Sequence, residues 1–296
     1  MPLHRFEFRA MGGPNSLQVH AQTLAEAQAA ATLAIDEVRR IEAKYSRYRD
    51  DSVVSRINAA AGGAPVTIDA ETAGLLGFAH AAWTQSGGLF DATSGVLRRA
   101  WDFDAPKVPS AAELAPILAR VGWDALERDG DRVRLARAGM ELDFGGFGKE
   151  YAADRAARVL REAGIESALV ELGGDLVALA PQPGAEPWRV GIRHPRRDDA
   201  LVATLELASG AMATSGDYER FAIVDGVRHH HILDPRTGRS ARGFSSVTVH
   251  GANAMVAGSA TTIAMLKGER EGISWLRELG LRYLAVTEDG RVLEGP

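Results

Sequence analysis

The run His229-His230-His231-Ile232-Leu233-Asp234-Pro235-Arg236-Thr237-Gly238 sets three imidazoles ahead of an acid–proline–base–glycine turn. Histidine is the side chain best suited to move a proton near neutral pH. Pro and Gly at fixed turn positions hold their flanks rigidly. The run therefore reads as a strand ending in a constrained corner with chemistry displayed on it. On a strand, His229 and His231 share one face and His230 points to the other. A zinc pair from His229 and His231 lacks both an H-E-x-x-H pattern and a third ligand. Burial in a core suits His229 and His230. His231, nearest the Asp234 turn, is the candidate general base.

A second chemical segment is Asp143-Phe144-Gly145-Gly146-Phe147-Gly148-Lys149, which is glycine-rich and opens a helix. Backbone N–H groups at a helix start bind phosphate, and Lys149 adds a positive charge. The same glycines also suit a plain close-packed turn. The spacing is not G-x-G-x-x-G, and no acid follows at ribose distance, which argues against a Rossmann site. Asp91, Asp143 and Asp217 each stand beside Gly, Ser or Thr, a pattern also found in caps and turns. Tyr45 and Tyr48 suit either stacking on a planar ring or anchoring a loop on the core. No G-x-S-x-G elbow supports a serine hydrolase.

The elements that must position these residues follow from periodicity and turn signals. A strand pair is expected at 6–19 around Met11-Gly12-Gly13-Pro14-Asn15. Thr23 with Glu26 suggests a capping box for a helix reaching Tyr45. Asp69 caps a second helix with Leu75, Leu76, Ala79, Ala82 and Trp83 inward. Ser110 with Glu113 caps a third that stops at Gly122. Short strands are expected at 133–135 and 141–144, then a helix at 150–163. Further strands are expected at 167–172, 176–179, 188–193, 201–207 and 246–250. Asn253 caps a helix to Lys267, and a last helix and a hairpin at Glu288-Asp289-Gly290 close the chain. Strands come in clusters rather than in βαβ alternation. The expected class is α+β, with mixed or antiparallel sheets, packed helices and two interlocked lobes. No Pro/Ser-rich linker divides the chain, so 1–296 reads as a single domain.

Composition narrows the function. The 296 residues are 46% hydrophobic and 25% charged, ordinary for a globular protein. A formal net charge of -5 argues against nucleic acid. The absence of cysteine rules out disulfides, thiolate metal sites and a lipidated N-terminal cysteine. With no signal-peptide pattern and no spanning apolar stretch, a cytoplasmic location without a membrane anchor is expected.

Taken in order, the motifs resemble the FAD:protein FMN transferases, formerly called thiamine-biosynthesis lipoproteins. The matching segments are Met11-Gly12, Tyr45-Ser46-Arg47-Tyr48, Asp51-Ser52 with Asn58, and Leu89-Phe90-Asp91-Ala92-Thr93. They continue with Asp143-Phe144-Gly145-Gly146, then Lys149, Tyr151 and Asp154, and Leu172-Gly173-Gly174-Asp175. Thr214-Ser215-Gly216-Asp217-Tyr218, the 231–238 corner and Ser246-Val247-Thr248-Val249 complete the set. The resemblance implies cleavage of FAD at its pyrophosphate. FMN passes to a Thr or Ser hydroxyl of an acceptor flavoprotein, and AMP leaves. It places FAD against Met11, Tyr48, Leu89, Phe90, Asp91, Asp143, Lys149 and Leu233. Tyr48 would stack on the flavin and Asp91 would hydrogen-bond FAD. His231 would be the catalytic base, with Asp234 orienting it.

The resemblance also implies Mg²⁺, held by an oxygen at Gly146 with an Asp and a Thr four residues apart on a late helix. Residues at i and i+4 share a helix face, so two such side chains converge. Thr262 is present, but Gly258 stands where the family has Asp, and Glu150 stands where it often has Gly. Asp217 is a candidate for the missing carboxylate, and an aspartate restored at 258 is expected to strengthen metal binding. Two other activities share the same cradle: FAD binding without transfer, and hydrolysis of FAD to FMN and AMP.

Overall fold

The computed structural model describes residues 1–105 and 107–296. The chain starts with the hairpin β1 (Leu3–Ala10) and β2 (Gly13–His20), then α1 (Leu24–Tyr45) and α2 (Val53–Ala59). β3 (Val66–Thr67), α3 (Ala70–Gln85), α4 (Ala111–Leu118), β4 (Leu126–Asp129) and β5 (Arg132–Leu135) follow. Next come α5 (Gly148–Glu162), β6 (Ala168–Leu172), β7 (Asp175–Ala178), β8 (Trp188–Arg193), β9 (Leu201–Leu207) and β10 (Gly210–Gly216). β11 (Phe221–Val224), β12 (Val227–His230), β13 (Phe244–Gly251), α6 (Ala254–Glu278), β14 (Arg282–Thr287) and β15 (Val292–Gly295) complete it.

The frame is one eight-stranded sheet in the order β1-β2-β6-β7-β10-β13-β14-β15. Every neighbouring pair in it is antiparallel. Both ends of the chain contribute strands, so the glycine segment and the histidine corner hang from one frame. The α+β class expected from clustered strands is the observed one, with antiparallel sheets throughout.

Alternation along the strands assigns the two faces. Leu17 and Val19 of β2 pack with Val38, Ile41 and Ala153 of α1 and α5. Tyr283 and Ala285 of β14 face α6, together with Val247 and Val249 of β13. Leu284 and Val286 point the other way, onto Trp188, Val190 and Leu207 of the β8–β9 ribbon. A sheet covered on both faces explains why β13 is buried along most of its length.

Most element ends follow the expected caps. Thr23 Oγ1 accepts the Glu26 amide at 3.2 Å, but Glu26 reaches back to the Gln22 amide rather than to that of Thr23. Ser110 and Glu113 form a complete capping box, yet α4 ends at Leu118, ahead of the expected Gly122. Trp83 is half-buried, not inward like Leu75 and Leu76. The strand expected at 141–144 joins no ladder. The Asn58 side chain takes a neighbouring strand's place, donating to Leu142 O at 2.9 Å and accepting Leu142 N at 2.6 Å. The two helices expected after Asn253 are both present within the span α6: Gly268, with non-helical φ 74° and ψ 178°, separates them just past the expected end at Lys267.

Candidate active site

The β11–β12 hairpin delivers the histidines to the corner. His230 is buried, its Nε2 2.9 Å from Ala241 O, and burial draws its pKa below the ordinary value. His229 is half-buried, its ring 5.7 Å from that of Trp101. His231 has left the ladder. Its amide donates to Arg220 O at 3.1 Å, and its Nδ1 lies 3.3 Å from the same carbonyl. A carbonyl only accepts, so Nδ1 carries the proton and Nε2 keeps its lone pair. Burial, then the Arg220 charge and His230, lower the His231 pKa to about 4. The imidazole is therefore neutral at pH 7.

Asp234 does not orient His231, contrary to expectation. Its Oδ1 accepts the Arg236 amide at 2.8 Å and its carbonyl accepts Gly238 N at 2.8 Å, closing the turn. The group that orients His231 is the Arg220 carbonyl. Gly238 adopts φ 67°, and a Cβ there would meet Leu114 Cδ2 at 2.9 Å. Trp101 Nε1 donates to Gly238 O at 2.8 Å, fixing the corner from below. Leu233, half-buried, bridges to Ser240 across the corner.

A second group of expected residues surrounds Arg47. Its guanidinium pairs with Asp143, donates to the Tyr48 hydroxyl at 2.7 Å, and lies 4.8 Å from the Tyr48 ring centre. Tyr48 is 77% exposed, its ring available to a planar partner. Desolvation would raise the Tyr48 phenol, but the Arg47 bond and the charges of Arg47, Arg220 and Arg98 outweigh it. Arg220 thus acts on both Tyr48 and His231. Asp143 Oδ1 accepts Gly145 N at 2.8 Å, shaping the glycine loop. Phe90 lies under that loop, since a Cβ at Gly146 would sit 3.2 Å from Phe90 Cζ. Leu89 and Phe90 are buried and form a floor.

Asp91 is turned into the protein. It accepts Thr93 N at 2.7 Å, Thr93 Oγ1 at 2.6 Å and Trp123 N at 3.0 Å, and burial pushes its pKa up. Asp91 thereby holds the turn that presents Phe90.

The third group is the backbone cradle. Met11, with φ 54°, turns the β1–β2 hairpin. Asn15 ties that hairpin to the next loop by accepting Gly173 N at 3.0 Å. Gly145, Gly146, Gly173 and Gly174 are exposed, leaving an open trough of backbone. Lys149 lies at this trough, its stem against Gly173 and its ammonium paired with Asp175. Burial alone would lower the Lys149 pKa, but Glu150 and Asp175 raise it, so the amine is cationic. Asp175 Oδ1 also accepts Thr214 N at 3.3 Å, and Ser215 Oγ lies 3.1 Å from Thr262 Oγ1.

Behind the trough, α5 meets α6. Asp154 accepts the Ala254 and Met255 amides at 2.7 and 3.0 Å, capping α6 from its neighbour. Glu150 is 7% exposed, and its Oε2 has no hydrogen-bond partner. Burial pushes its pKa up to about 8, opposed by Lys149 and assisted by Asp175. A Cβ at Gly258 would lie 2.6 Å from Glu150 Cγ and 2.8 Å from Oε1. An aspartate at 258 therefore meets the Glu150 side chain and enters only if that side chain shifts. Asp217 is not the replacement carboxylate, because Arg196 holds both its oxygens at 2.6 and 2.7 Å. Among the described residues, no group of three or more His, Cys, Asp and Glu side chains is placed to hold a metal ion.

The profile of the ApbE family matches residues 11–285. The chain belongs to the ApbE family. It is 35% identical over 290 residues to the FAD:protein FMN transferase of Treponema pallidum, covering 90% of this chain and 80% of that one. The crystal structure of the ApbE protein of Thermotoga maritima superposes with a TM-score of 0.91 at 34% identity, covering 99% of this chain and 97% of that one. The flavin transferase ApbE of Vibrio cholerae superposes at 0.88 with 27% identity, covering 99% and 98%.

Family motifs drew attention to one member of each functional pair and missed its partner. Arg220 was missed because its carbonyl, not its side chain, holds His231. Its position two residues after Tyr218 gave no chemical signal. Glu150 stood out only as a departure from glycine. Two surface clefts, one between α6 and β15 and one beside Asp154 and Val256, contain none of the expected FAD residues. The site is an open trough between loops rather than a closed cleft. Among the described residues, no helix is long and apolar enough to cross a membrane.

Proposed function

We propose that residues 1–296 act as one flavin transferase unit that moves FMN from FAD to a Thr or Ser hydroxyl of an acceptor flavoprotein. The observation that carries this reading is the neutral His231, with Nδ1 held by Arg220 O and Nε2 free. A base in that state takes a hydroxyl proton without first losing its own. The acceptor oxygen forms a bond to the phosphorus of the FMN half. The P–O bond to the AMP half breaks, AMP leaves with that oxygen, and the hydroxyl proton passes to His231 Nε2.

The remaining residues supply binding and charge. Tyr48 offers an exposed aromatic face for the flavin. Leu89 and Phe90 floor the site, while Met11 and Leu233 border it. Asp143 and Arg47 fix the glycine loop. Lys149 brings a cation to the pyrophosphate. Phe147 gives α5 no side-chain cap, and the Gly148 amide already donates to Phe144 O at 2.6 Å, so the amides available to an anion start at Lys149.

The donor chemistry around α5 and α6 fits Mg²⁺. The Thr262 hydroxyl and the Gly146 backbone are hard oxygen donors, and Glu150, packed against Gly258 one turn before Thr262, adds an oxygen without a hydrogen-bond partner. Gly146 and Thr262 would hold the ion, which when bound offsets the charge of the two phosphates.

The test is incubation with FAD, Mg²⁺ and an acceptor flavoprotein, read by intact mass. A gain of one FMN, lost in His231→Ala, is the expected result. AMP released without an acceptor would instead establish hydrolysis. Tight FAD binding with no AMP under any condition would reduce the protein to a flavin carrier.

A further inference from the structure

We propose that Glu150 supplies the carboxylate ligand of a divalent-cation site shared with Thr262, and that Gly258 is glycine because that carboxylate fills its side-chain space. The inference rests on the transferase reading above and assigns its metal site.

Three observations carry it. Glu150 is buried, and one of its oxygens has no partner. A buried carboxylate left unpaired is costly, so a group that completes it is expected. Next, the nearest atoms to a Cβ built at Gly258 all belong to Glu150, at 2.6, 2.8 and 3.1 Å. A side chain at 258 and the present Glu150 rotamer exclude each other.

The third observation is register. Asp154 touches the α6 amides of Ala254 and Met255, and Glu150 lies against Gly258. Four residues back along α5 match four residues forward along α6, as for antiparallel helices. One more turn along α6 carries the same face from Gly258 to Thr262, toward the loop that opens α5. The surrounding contacts agree: Asp175 reaches the Thr214 amide, and Ser215 reaches Thr262. Lys149 is spoken for by Asp175 and stands 3.8 Å from Glu150 Oε1, too far to satisfy it well. Glu150 on α5 thus places its carboxylate in the space that a side chain at 258 on α6 would fill.

The test measures Mn²⁺ binding by electron paramagnetic resonance, with and without FAD, and FAD binding separately by flavin fluorescence. Mn²⁺ shares the oxygen preference of Mg²⁺. Wild-type protein is expected to bind Mn²⁺. Glu150→Gln keeps the shape, removes the charge, and should weaken Mn²⁺ by at least the about 10–100-fold that loss of a supporting group costs a metal site. Gly258→Asp alone should bind no better than wild type, because its side chain collides with Glu150. Glu150→Gly with Gly258→Asp should return Mn²⁺ affinity to within about ten-fold of wild type by putting a carboxylate back from the other helix. Glu150→Gln binding Mn²⁺ like wild type, or wild type binding none, overturns the assignment. Wild type that binds Mn²⁺ and FAD but transfers no FMN leaves the assignment standing and refutes the transferase reading.

Discussion

The pH dependence of FMN transfer tests the state of His231 most directly. Burial and the neighbouring Arg220 charge hold its pKa at about 4, well below the 6.5 of a free histidine. His230 adds to this, while Asp217 and the Arg220 carbonyl oppose it. The base is the neutral form, so the acid limb of kcat/KM for the acceptor should fall near pH 4. At pH 6 a base of pKa 4 is about 99% competent, whereas one of pKa 6.5 is about 24% competent. Between pH 8 and pH 6 the rate should thus change little, rather than falling about four-fold. Mg²⁺ is kept saturating so that titration of Glu150 does not enter. Arg220→Gln retains the orienting carbonyl and removes the charge, and should move the limb upward only part of the way, because burial is the larger cause. His231→Ala should cost about 10²- to 10⁴-fold and abolish the limb. A wild-type limb at or above pH 6.5 would refute the burial argument, and a limb surviving in His231→Ala would refute the base assignment.

Four further outcomes follow from named contacts. Asp154→Ala removes the acceptor for two α6 amides and should cost about 2 kcal/mol of stability in chemical denaturation. It should also weaken Mn²⁺ binding by tilting α6 away from Glu150. Arg196→Met leaves Asp217 buried without its cation and should destabilise by about 3–5 kcal/mol, much of it recovered by adding Asp217→Asn. Tyr48→Ala should weaken FAD by about 1 kcal/mol or more through lost stacking. Lys149→Met should do so with a salt dependence that Tyr48→Ala lacks.

Elements were legible wherever the signal was local. The Thr23, Ser110 and Asn253 caps marked helix starts to the residue because a cap needs only its own turn. The segment at 141–144 misled because a side chain, not a strand, satisfies its backbone, and Asn58 lies far off in sequence. The β11–β12 hairpin was only half seen, since its first strand lies between a chemical motif and the histidines. At the site, the identity of His231 was readable, but its orienting group was not. Asp234 is near in sequence and carries a carboxylate, whereas the true partner is a backbone carbonyl eleven residues upstream.

The substitutions at 150 and 258 show why a motif read one position at a time misplaces a function. Gly258 alone reads as a lost ligand, and Glu150 alone reads as a lesser departure from glycine. The geometry joins the two positions, because Glu150 is buried and fills the space beside Gly258. Asp154 makes the exchange workable. By holding the first amides of α6, it fixes the register in which position 150 faces position 258. A carboxylate presented from α5 also stands next to Lys149 in sequence. The Lys149 cation and the carboxylate proposed as a metal ligand therefore sit on one helical turn. In an arrangement with the acid on α6, that coupling would depend on how two helices pack. Here it is built into the first turn of one helix, and relative motion of α5 and α6 should disturb the Thr262 donor before it disturbs the carboxylate.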